Sequence, residues 1–357
     1  MGAPRDFGYI DDVTQIPLHP GAPESGPPGF QSFAAQALHY FRRDHEAVPR
    51  EPVRGPAAWQ GAALARQPEA WTRTLGKGEI EELDAARRAV RARGLALGAI
   101  RREDFPLPAL TPAIASWSRE LLDGRGFLLL RGLPVARWGD EDSALVYWGL
   151  GQHLGQPGAQ NPEGELLGHV VDTHEEAKNP NVRRYRTRGE IRFHCDLADA
   201  VGLLCLRTSP TGGASRITSS ISVFNAILER RPDLAERLFE PFLLDSRDEE
   251  RAGARPYFPV PACRYARGRL ATFWHSDYFR SVVRHAGVAP FTAQERELLD
   301  LYEELAGSEA LRLEMRFQPG DVQLISNHVV LHARTAYEDA PDPARRRHLL
   351  RLWLSLS

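Results

Sequence analysis

The feature that most restricts the fold is a run near the C-terminus in which two kinds of side chain alternate. Leucine occupies every second position from Leu350 to Leu356, and Leu349, Arg351 and Trp353 lie between them. A period of two predicts a β-strand. Because apolar residues fall on both of its faces, we expect this strand to be covered on both sides.

Two arginines, Arg347 and Arg351, share one face of this strand. Burying an unpaired guanidinium is very costly, so each arginine needs an anionic partner. The partner is either an acidic small molecule or an internal aspartate or glutamate. Taken alone, the strand favours internal salt bridges, because charged side chains are seldom buried unless they are paired.

A metal-binding spacing occurs at His194 and Asp196, followed by the apolar run 201–206. Residues two apart on a strand point to one face, so this imidazole and carboxylate are predicted to project together. A third ligand is expected from His332, which lies in the apolar run 325–334. Two histidines and one carboxylate form the facial triad of non-haem Fe(II) oxygenases.

A second His-x-Asp sequence occurs at His275 and Asp277. An isolated pair of this kind is more often a surface or core-edge pair than a set of metal ligands. No Gly-Gly sequence with a nearby hydroxyl follows it, in contrast to the first copy. We interpret the second copy as a rim or substrate-selecting feature, with His275 as a candidate substrate contact, or as plain structure.

Together these residues resemble the taurine dioxygenase family of Fe(II)- and 2-oxoglutarate-dependent oxygenases. The resemblance extends from about Gly124 to the C-terminus. Several markers in one order are far more specific than any one of them. They are His194 and Asp196, then Gly212-Gly213 with Ser215, then Asn327 and His332, then Arg347 and Arg351.

The resemblance implies that His194, Asp196 and His332 hold Fe(II). It also implies that 2-oxoglutarate and O2 are cosubstrates, that succinate and carbon dioxide are co-products, and that hydroxylation of a small molecule is the usual outcome. Related halogenases replace the carboxylate with a small residue, so the retained Asp196 argues against halogenation.

The resemblance further implies a cosubstrate pocket. Arg347 is expected to bind the far carboxylate of 2-oxoglutarate, with help from the hydroxyl of Ser215, where threonine is more usual. A planar guanidinium suits a carboxylate because it can donate two parallel hydrogen bonds. Arg351 is expected at the junction of the cosubstrate and the substrate, and Asn327 is expected to line the pocket.

Substrate contacts are less defined by the sequence. Tyr185 and Thr187 lie a few residues before His194 and are candidates, because a strand would aim alternate residues inward. Arg351 and Arg334 are compatible with an acidic or amino-acid-like substrate. Two alternatives stay open: desaturation or ring closure with the same cofactors, and a catalytically silent barrel that binds a metal or a dicarboxylate.

The expected fold is mainly β with α, a double-stranded β-helix (a jelly roll of the clavaminate-synthase type) with outer helices and an N-terminal helical extension. We divide the chain into a Pro/Gly-rich arm at 1–55, a helical extension packed on the barrel at 56–123 and an oxygenase domain at 124–357. Sequence periodicity and end signals predict the local elements. Helices are predicted at 33–43 and 77–93, from N-caps at Thr111, Ser222 and Thr292, and near Asp140; a hairpin is predicted from 311–317 and 322–326.

Composition excludes several function classes. The 357 residues include 45 basic and 47 acidic ones, giving a formal charge of −2, so neither nucleic acid nor an anionic membrane is an expected partner. No transmembrane-length apolar run or signal peptide is apparent. Three cysteines make a disulfide framework improbable, which favours a reducing cytoplasm. The expected partner is a small-molecule substrate, and a homo-oligomer is compatible with the sequence.

Overall fold

The computed structural model describes residues 29–161, 163–174, 184–248, 250 and 253–356. Its helices are α1 Phe33–Phe41, α2 Gly61–Leu64, α3 Lys77–Ala92, α4 Thr111–Leu122, α5 Val135–Leu154, α6 Ser220–Arg230, α7 Pro232–Arg237, α8 Ser276–Ser281 and α9 Ala293–Gly307. Short 3-10 turns occur at Pro68–Ala70, Leu97–Ala99, Arg102–Asp104, Arg184–Arg186, Val282–Arg284 and Pro343–Arg345.

Strands account for the core of the chain. They are β1 Thr72–Thr74, β2 Phe127–Arg131, β3 Gln156–Pro157, β4 Gly168–Val170, β5 Ile191–His194, β6 Ala200–Arg207, β7 Thr211–Gly212, β8 Ser215–Ser219, β9 Pro241–Asp245, β10 Tyr257–Pro261, β11 Cys263–Ala266, β12 Arg269–Thr272, β13 Arg312–Met315, β14 Val322–Ser326, β15 Val330–Arg334, β16 Tyr337–Glu338 and β17 His348–Ser355.

Two sheets make the barrel. The larger has the order β1-β2-β14-β6-β17-β3, with β4 also paired to β17, and the smaller has the order β13-β8-β15-β5. Phe127, Val201 and Trp353 of the larger sheet join Ile217 and Leu331 of the smaller sheet in one buried cluster. The predicted double-stranded β-helix with outer helices is confirmed.

Helices α3, α4 and α5 cover the outer face of the larger sheet. Leu128, Leu204 and Leu352 of the sheet share a second buried cluster with Trp117 of α4 and Tyr147 of α5. The larger sheet is therefore buried on both faces, by the barrel interior on one side and by this helical layer on the other. The leucine alternation predicts this arrangement.

Strand β17 confirms that prediction in detail. It is paired with β6 on one side and with β3 and β4 on the other, so it is an interior strand. Every residue from Leu349 to Ser355 is buried. Its leucines at 350, 352 and 354 pack against the helices, while Trp353 lies in the barrel core.

Two predicted N-caps are wrong by one turn or less. Helix α4 already includes Thr111, whose hydroxyl donates a hydrogen bond to the Leu107 carbonyl instead of capping the helix. Helix α6 is capped by Ser219, which accepts a hydrogen bond from the Ser222 amide. The capping box of Thr292 at the start of α9 is confirmed.

The predicted hairpin between β13 and β14 is also wrong. Strand β13 pairs with β8 in the smaller sheet, and β14 pairs with β2 and β6 in the larger sheet. The turn at 318–321 thus carries the chain from one sheet to the other. Asp321 stabilises this turn, because its carboxylate accepts a hydrogen bond from the Gln318 amide and forms an ion pair with Arg131 of β2.

Helix α1 packs beside the barrel and confirms the helix predicted near 33–43. Its Phe33 ring stacks on Trp353 with 6.0 Å between ring centroids. The buried carboxylate of Asp199 binds His39 at 2.9 Å and Arg43 at 2.7 Å, so the end of α1 is held by the segment that follows β5. The division into arm, extension and oxygenase domain stays a prediction.

The three cysteines, Cys195, Cys205 and Cys263, are all buried and free of disulfides. Within the described ranges, no helix is both long enough and apolar enough to cross a lipid bilayer.

Candidate metal centre and cosubstrate pocket

Strand pairing brings together three side chains that could hold a metal ion. His194 on β5 lies directly opposite His332 on β15. The Asp196 carboxylate lies 3.7 Å from Nε2 of each histidine, one oxygen towards each. One ligand atom from each of the three residues falls within 4.8 Å of the other two. The spacing therefore suits one shared ion.

The His194 imidazole is oriented by its own strand. Its Nδ1 lies 2.9 Å from the Arg192 carbonyl oxygen. Because a carbonyl can only accept a hydrogen bond, the proton is assigned to Nδ1, which leaves the Nε2 lone pair for a metal.

Asp196 lies beyond the end of β5, so the strand pleat does not position it as predicted. Its backbone amide donates a hydrogen bond to Asn327 Oδ1 at 3.2 Å. Its carboxylate Oδ2 accepts one from Trp353 Nε1 at 2.9 Å, and Arg351 approaches the same oxygen at 3.4 Å. Side chains from the β14–β15 turn and from β17 thus set this carboxylate, which is the usual way that outer groups orient metal ligands.

Asn327 was predicted to line the pocket, but it is not among the lining residues, and its side chain binds main-chain groups. It is fully buried, and besides the contact with Asp196 its Nδ2 donates a hydrogen bond to the Ala198 carbonyl at 2.8 Å. Its amide group is therefore used by the main chain of the segment that carries Asp196. The structure makes Asn327 a brace for a ligand-bearing turn.

The surroundings set the charges of the candidate ligands. Burial alone would raise the pKa of Asp196, but Arg351 and the two imidazoles lower it to about 2. Burial and the neighbouring His194 lower the pKa of His332 to about 3. At neutral pH the site therefore offers one carboxylate and a neutral His332 imidazole, which are the forms that bind a metal.

A pocket next to these ligands is lined by Arg347, Ser215, Leu349 and Val170. Arg347 is 4% exposed, and among the described residues its Nη1 has no hydrogen-bond partner. Burial lowers its pKa, because desolvation of the charged guanidinium outweighs the opposing effects of neighbours such as Tyr337 and Asp339. An orphaned guanidinium in a pocket that also contains His194 and His332 fits the far carboxylate of a keto-diacid.

The Gly212-Gly213 turn fixes the approach to Arg347. Both glycines have positive φ, 73° and 69°. A Cβ on Gly212 would lie 2.1 Å from the Ala336 carbonyl oxygen, and one on Gly213 would lie 3.1 Å from Arg347 Nε. Only glycine allows this backbone so close to the guanidinium. The turn delivers Ser215 to the pocket, where its hydroxyl donates a hydrogen bond to Gln323 Oε1 at 3.2 Å.

Arg351 and Arg347 differ in their partners. Arg351 donates to Gln160 Oε1 at 2.7 Å, contacts Asp196 and lies 4.4 Å from the Tyr185 ring centroid. Internal contacts therefore use much of its guanidinium, as the salt-bridge alternative predicts. The Arg347 guanidinium, by contrast, forms no ion pair with a carboxylate in the described part of the chain, although the Arg347 backbone amide donates a hydrogen bond to Asp339 Oδ1 at 2.7 Å.

Tyr185 and Thr187, the two candidate substrate contacts that precede β5, do not lie in the same place. The Tyr185 ring lines the pocket, whereas Thr187 is not among the lining residues. The expected strand is a 3-10 turn at Arg184–Arg186, so residues 185 and 187 do not point to one face. The Thr187 carbonyl instead accepts a hydrogen bond from Arg334 at 2.6 Å, and this holds Arg334 within the pocket wall.

His275 lies beside the metal ligands, but Asp277 does not. His275 forms an isolated antiparallel bridge with His194, and their ring centroids are 5.1 Å apart. Asp277 falls in the first turn of α8 and faces Arg192 at 3.9 Å.

Sequence reasoning missed the contacts that Trp353 and Gln160 make with the site. The alternation in β17 does place Trp353 on the face of Arg347 and Arg351, which was the available signal. No local pattern identifies Gln160, because its contact spans 191 positions of the chain.

Comparison with known proteins addresses the family of this chain. A model of the taurine catabolism dioxygenase TauD, TfdA family matches residues 90–353. FR-33289 synthase of Streptomyces rubellomurinus is 30% identical over 316 residues, covering 87% of this chain and 92% of that protein.

Two solved structures share the fold. Asparagine oxygenase in complex with Fe(II), 2S,3S-3-hydroxyasparagine and succinate superposes with a TM-score of 0.63 at 20% identity, covering 80% of this chain and 93% of that one. The non-haem iron oxygenase OrfP in complex with Fe and α-ketoglutaric acid gives 0.60 at 17% identity, with the same coverage.

The family match covers most of the chain and includes all three candidate metal ligands, Arg347 and Arg351. The chain therefore belongs to the taurine catabolism dioxygenase TauD, TfdA family and is a non-haem iron oxygenase that uses Fe(II), 2-oxoglutarate and O2.

Proposed function

We propose that this oxygenase hydroxylates a small polar molecule carrying an acidic or amino-acid-like group, with His194, Asp196 and His332 holding Fe(II) and Arg347 holding 2-oxoglutarate. The bound metal, with 2-oxoglutarate and O2, supplies the oxidant that removes hydrogen from a substrate C–H bond. The expected products are the hydroxylated substrate, succinate and carbon dioxide.

The protein's own part is orientation and charge. Arg347 would bind the far carboxylate of the cosubstrate in the pocket that His332 and His194 also line. The Ser215 hydroxyl donates a hydrogen bond to Gln323. Because Ser215 lines the same pocket as Arg347, this hydroxyl can rotate and donate to that carboxylate instead. Arg351 and Trp353 keep the Asp196 carboxylate turned to the metal.

The observation that carries the proposal is the buried Arg347 guanidinium, facing the pocket without a carboxylate partner among the described residues. A buried cation of this kind is costly unless a ligand neutralises it. The Asp196 carboxylate, in contrast, already has a compensating positive charge nearby in Arg351. The pocket is thus short of an anion at the end away from the metal ligands.

The preference for an acidic or amino-acid-like substrate has weaker support. Arg351 and Arg334 both line the pocket. Among the structural neighbours, asparagine oxygenase holds a hydroxylated amino acid. A small polar molecule with an acidic group would suit such a cationic wall.

The test replaces Arg347 by Gln, which keeps hydrogen bonding but removes the charge. We expect the KM for 2-oxoglutarate to rise by about 100-fold, equivalent to roughly 3 kcal/mol, with Fe(II) binding unchanged. The matched control is Arg88→Gln on α3, an arginine whose side chain is 63% exposed and pairs with Asp84.

The assay follows succinate formation with Fe(II) across a panel of amino acids and other small acids, and mass spectrometry of each product distinguishes a gain of oxygen from a loss of two hydrogens. An unchanged KM for 2-oxoglutarate in Arg347→Gln would remove the basis of the assignment.

A further inference from the structure

Three imidazoles stand in a row, two on neighbouring strands and the third, His275, on the segment between β12 and α8. This third imidazole has no role in the proposed metal centre or cosubstrate pocket. His332, His194 and His275 are each opposite the next in antiparallel pairing. Directly opposed residues of an antiparallel pair project to the same side. The ring centroids are 4.1 Å apart for the first pair and 5.1 Å for the second.

His275 extends the row away from the cosubstrate pocket. The pocket lining includes His332, His194 and Arg347 but not His275. Its Nδ1 is buried and has no hydrogen-bond partner among the described residues. His275 therefore flanks His194 on the side that 2-oxoglutarate does not occupy in the proposed arrangement, and it keeps one polar atom unused there.

A stack of side chains continues the row to a cation. The Tyr278 ring lies 3.8 Å from the His275 ring, centroid to centroid, and the Arg247 guanidinium carbon lies 4.7 Å from the Tyr278 centroid. Tyr278 comes from the first turn of α8, and Arg247 comes from the segment after β9. Two separate parts of the fold thus converge beside His275, which itself neighbours His194.

Arg247 has no ion-pair partner in the described ranges, although acidic residues flank it. Asp245 and Asp248 both pair with Arg284, each at 2.8 Å. Arg192, the other cation near this side, already faces Glu303 and Asp277. Among the described residues on this flank of the candidate metal centre, Arg247 is therefore a cation without an ion-pair partner.

The backbone of Arg247 supports a positional role. Its φ is 57°, and Asp248 follows with 62°, both in the left-handed region that residues with a side chain rarely adopt. The turn is held by Asp245, whose carboxylate accepts a hydrogen bond from the Arg247 amide at 2.9 Å. An anchored, strained turn that delivers an unpaired cation is a frequent property of binding sites.

We propose that Arg247 and His275 form an anion-binding subsite for the substrate, which commits this oxygenase to small molecules that carry a carboxylate or phosphate group. The inference rests on the proposed function, because it takes His194 as a metal ligand. Arg247 neutralises the anion, His275 donates or accepts a hydrogen bond through its free nitrogen, and Tyr278 holds the two groups in place.

The test measures binding instead of turnover. Protein loaded with Fe(II) and 2-oxoglutarate is titrated calorimetrically without oxygen against two matched pairs, L-aspartate with L-asparagine and O-phospho-L-serine with L-serine. The two pairs separate carboxylate from phosphate recognition. We expect wild type to bind at least one anionic member about tenfold more tightly than its neutral partner.

Three variants complete the design. Arg247→Gln should abolish that preference, Arg247→Lys should keep part of it, and Arg88→Gln should leave it unchanged. The charge-transfer absorption of the Fe(II)–2-oxoglutarate complex should be the same in all of them. No preference in wild type, or a preference that survives in Arg247→Gln, overturns the subsite. Loss of the charge-transfer absorption in wild type would instead contradict the proposed function.

Discussion

The two His-x-Asp sequences of this chain have the same spacing and different outcomes. In the first, His194 and Asp196 meet His332, and their donor atoms lie within 4.8 Å of one another. In the second, His275 lies beside His194, while Asp277 points to Arg192. The difference teaches that spacing alone does not define a metal site.

The backbone explains the difference. The first copy straddles the end of β5, and Asn327 holds the turn so that the Asp196 carboxylate swings back to the histidines. The second copy straddles the start of α8, with His275 at the N-cap and Asp277 in the first helical turn. Successive residues on a helix rotate by about 100°, so the imidazole and the carboxylate diverge.

The largest expected effect comes from removing each carboxylate in turn. Asp196→Ala should lower kcat/KM by at least about a thousandfold, roughly 4 kcal/mol, because the metal loses a charged ligand. Asp277→Ala should change it by less than about threefold. The measurements are iron content and succinate formation. Equal losses in the two variants would show that the second copy shares the metal.

A smaller effect should follow from removing the indole that bonds to the first carboxylate. Trp353→Phe deletes the hydrogen bond to Asp196 Oδ2, so Fe(II) affinity should fall by about 10- to 100-fold. Trp274→Phe, beside the second copy, is the matched control, because its buried Nε1 has no hydrogen-bond partner in the described ranges.

Fe(II) titration monitored by fluorescence or calorimetry gives the two affinities, and thermal unfolding corrects for the cavity that either substitution leaves. If Trp274→Phe weakens Fe(II) as much as Trp353→Phe does, the indole hydrogen bond is not what orients the carboxylate.

The smallest effect concerns pH and the metal-free protein. Burial and the nearby His194 hold the pKa of His275 well below its ordinary value of 6.5. The unfolded chain therefore takes up a proton below pH 6.5 that the native state refuses, and native stability falls as the pH is lowered from there.

His275→Gln should make this fall shallower by about 1.4 kcal/mol per pH unit, the contribution of one proton. Asp277→Asn should leave the slope between pH 6.5 and 5 as it is. Urea unfolding in the presence of a chelator measures both. A slope that His275→Gln does not change would mean that the imidazole is already charged in the native protein.

Sequence patterns predicted the strands better than the turns of this protein. The alternation in β17 correctly predicts which side chains lie on each face of the strand, because both faces are buried. Helix starts depended on single hydroxyls. The Ser222 hydroxyl was misassigned because Ser219 caps the helix instead, and the Thr111 hydroxyl because it donates back to the Leu107 carbonyl. The hairpin from 311 to 326 was misassigned because a turn does not reveal whether its strands share a sheet.

The site shows the same division. The triad and Arg347 were predicted from an ordered set of markers. The structure brings the three candidate ligands within 4.8 Å of one another, and both histidines and Arg347 line one pocket. The role of Asn327 as a brace could not be predicted, since it depends on backbone groups of 196 and 198 that meet it only in the fold. The Arg247 stack depends likewise on the convergence of β9 with α8.

Strand β17 has a consequence for how this protein can diverge. Arg351 and Trp353 lie on its inner face and Arg347 directly precedes it, so one short stretch serves both the cosubstrate end and the orientation of Asp196. A single-residue insertion or deletion would move each of these groups to the opposite face and put leucines in their place. Descendants of this sequence can therefore exchange side chains along the strand, but its length and phase are closed to evolutionary change.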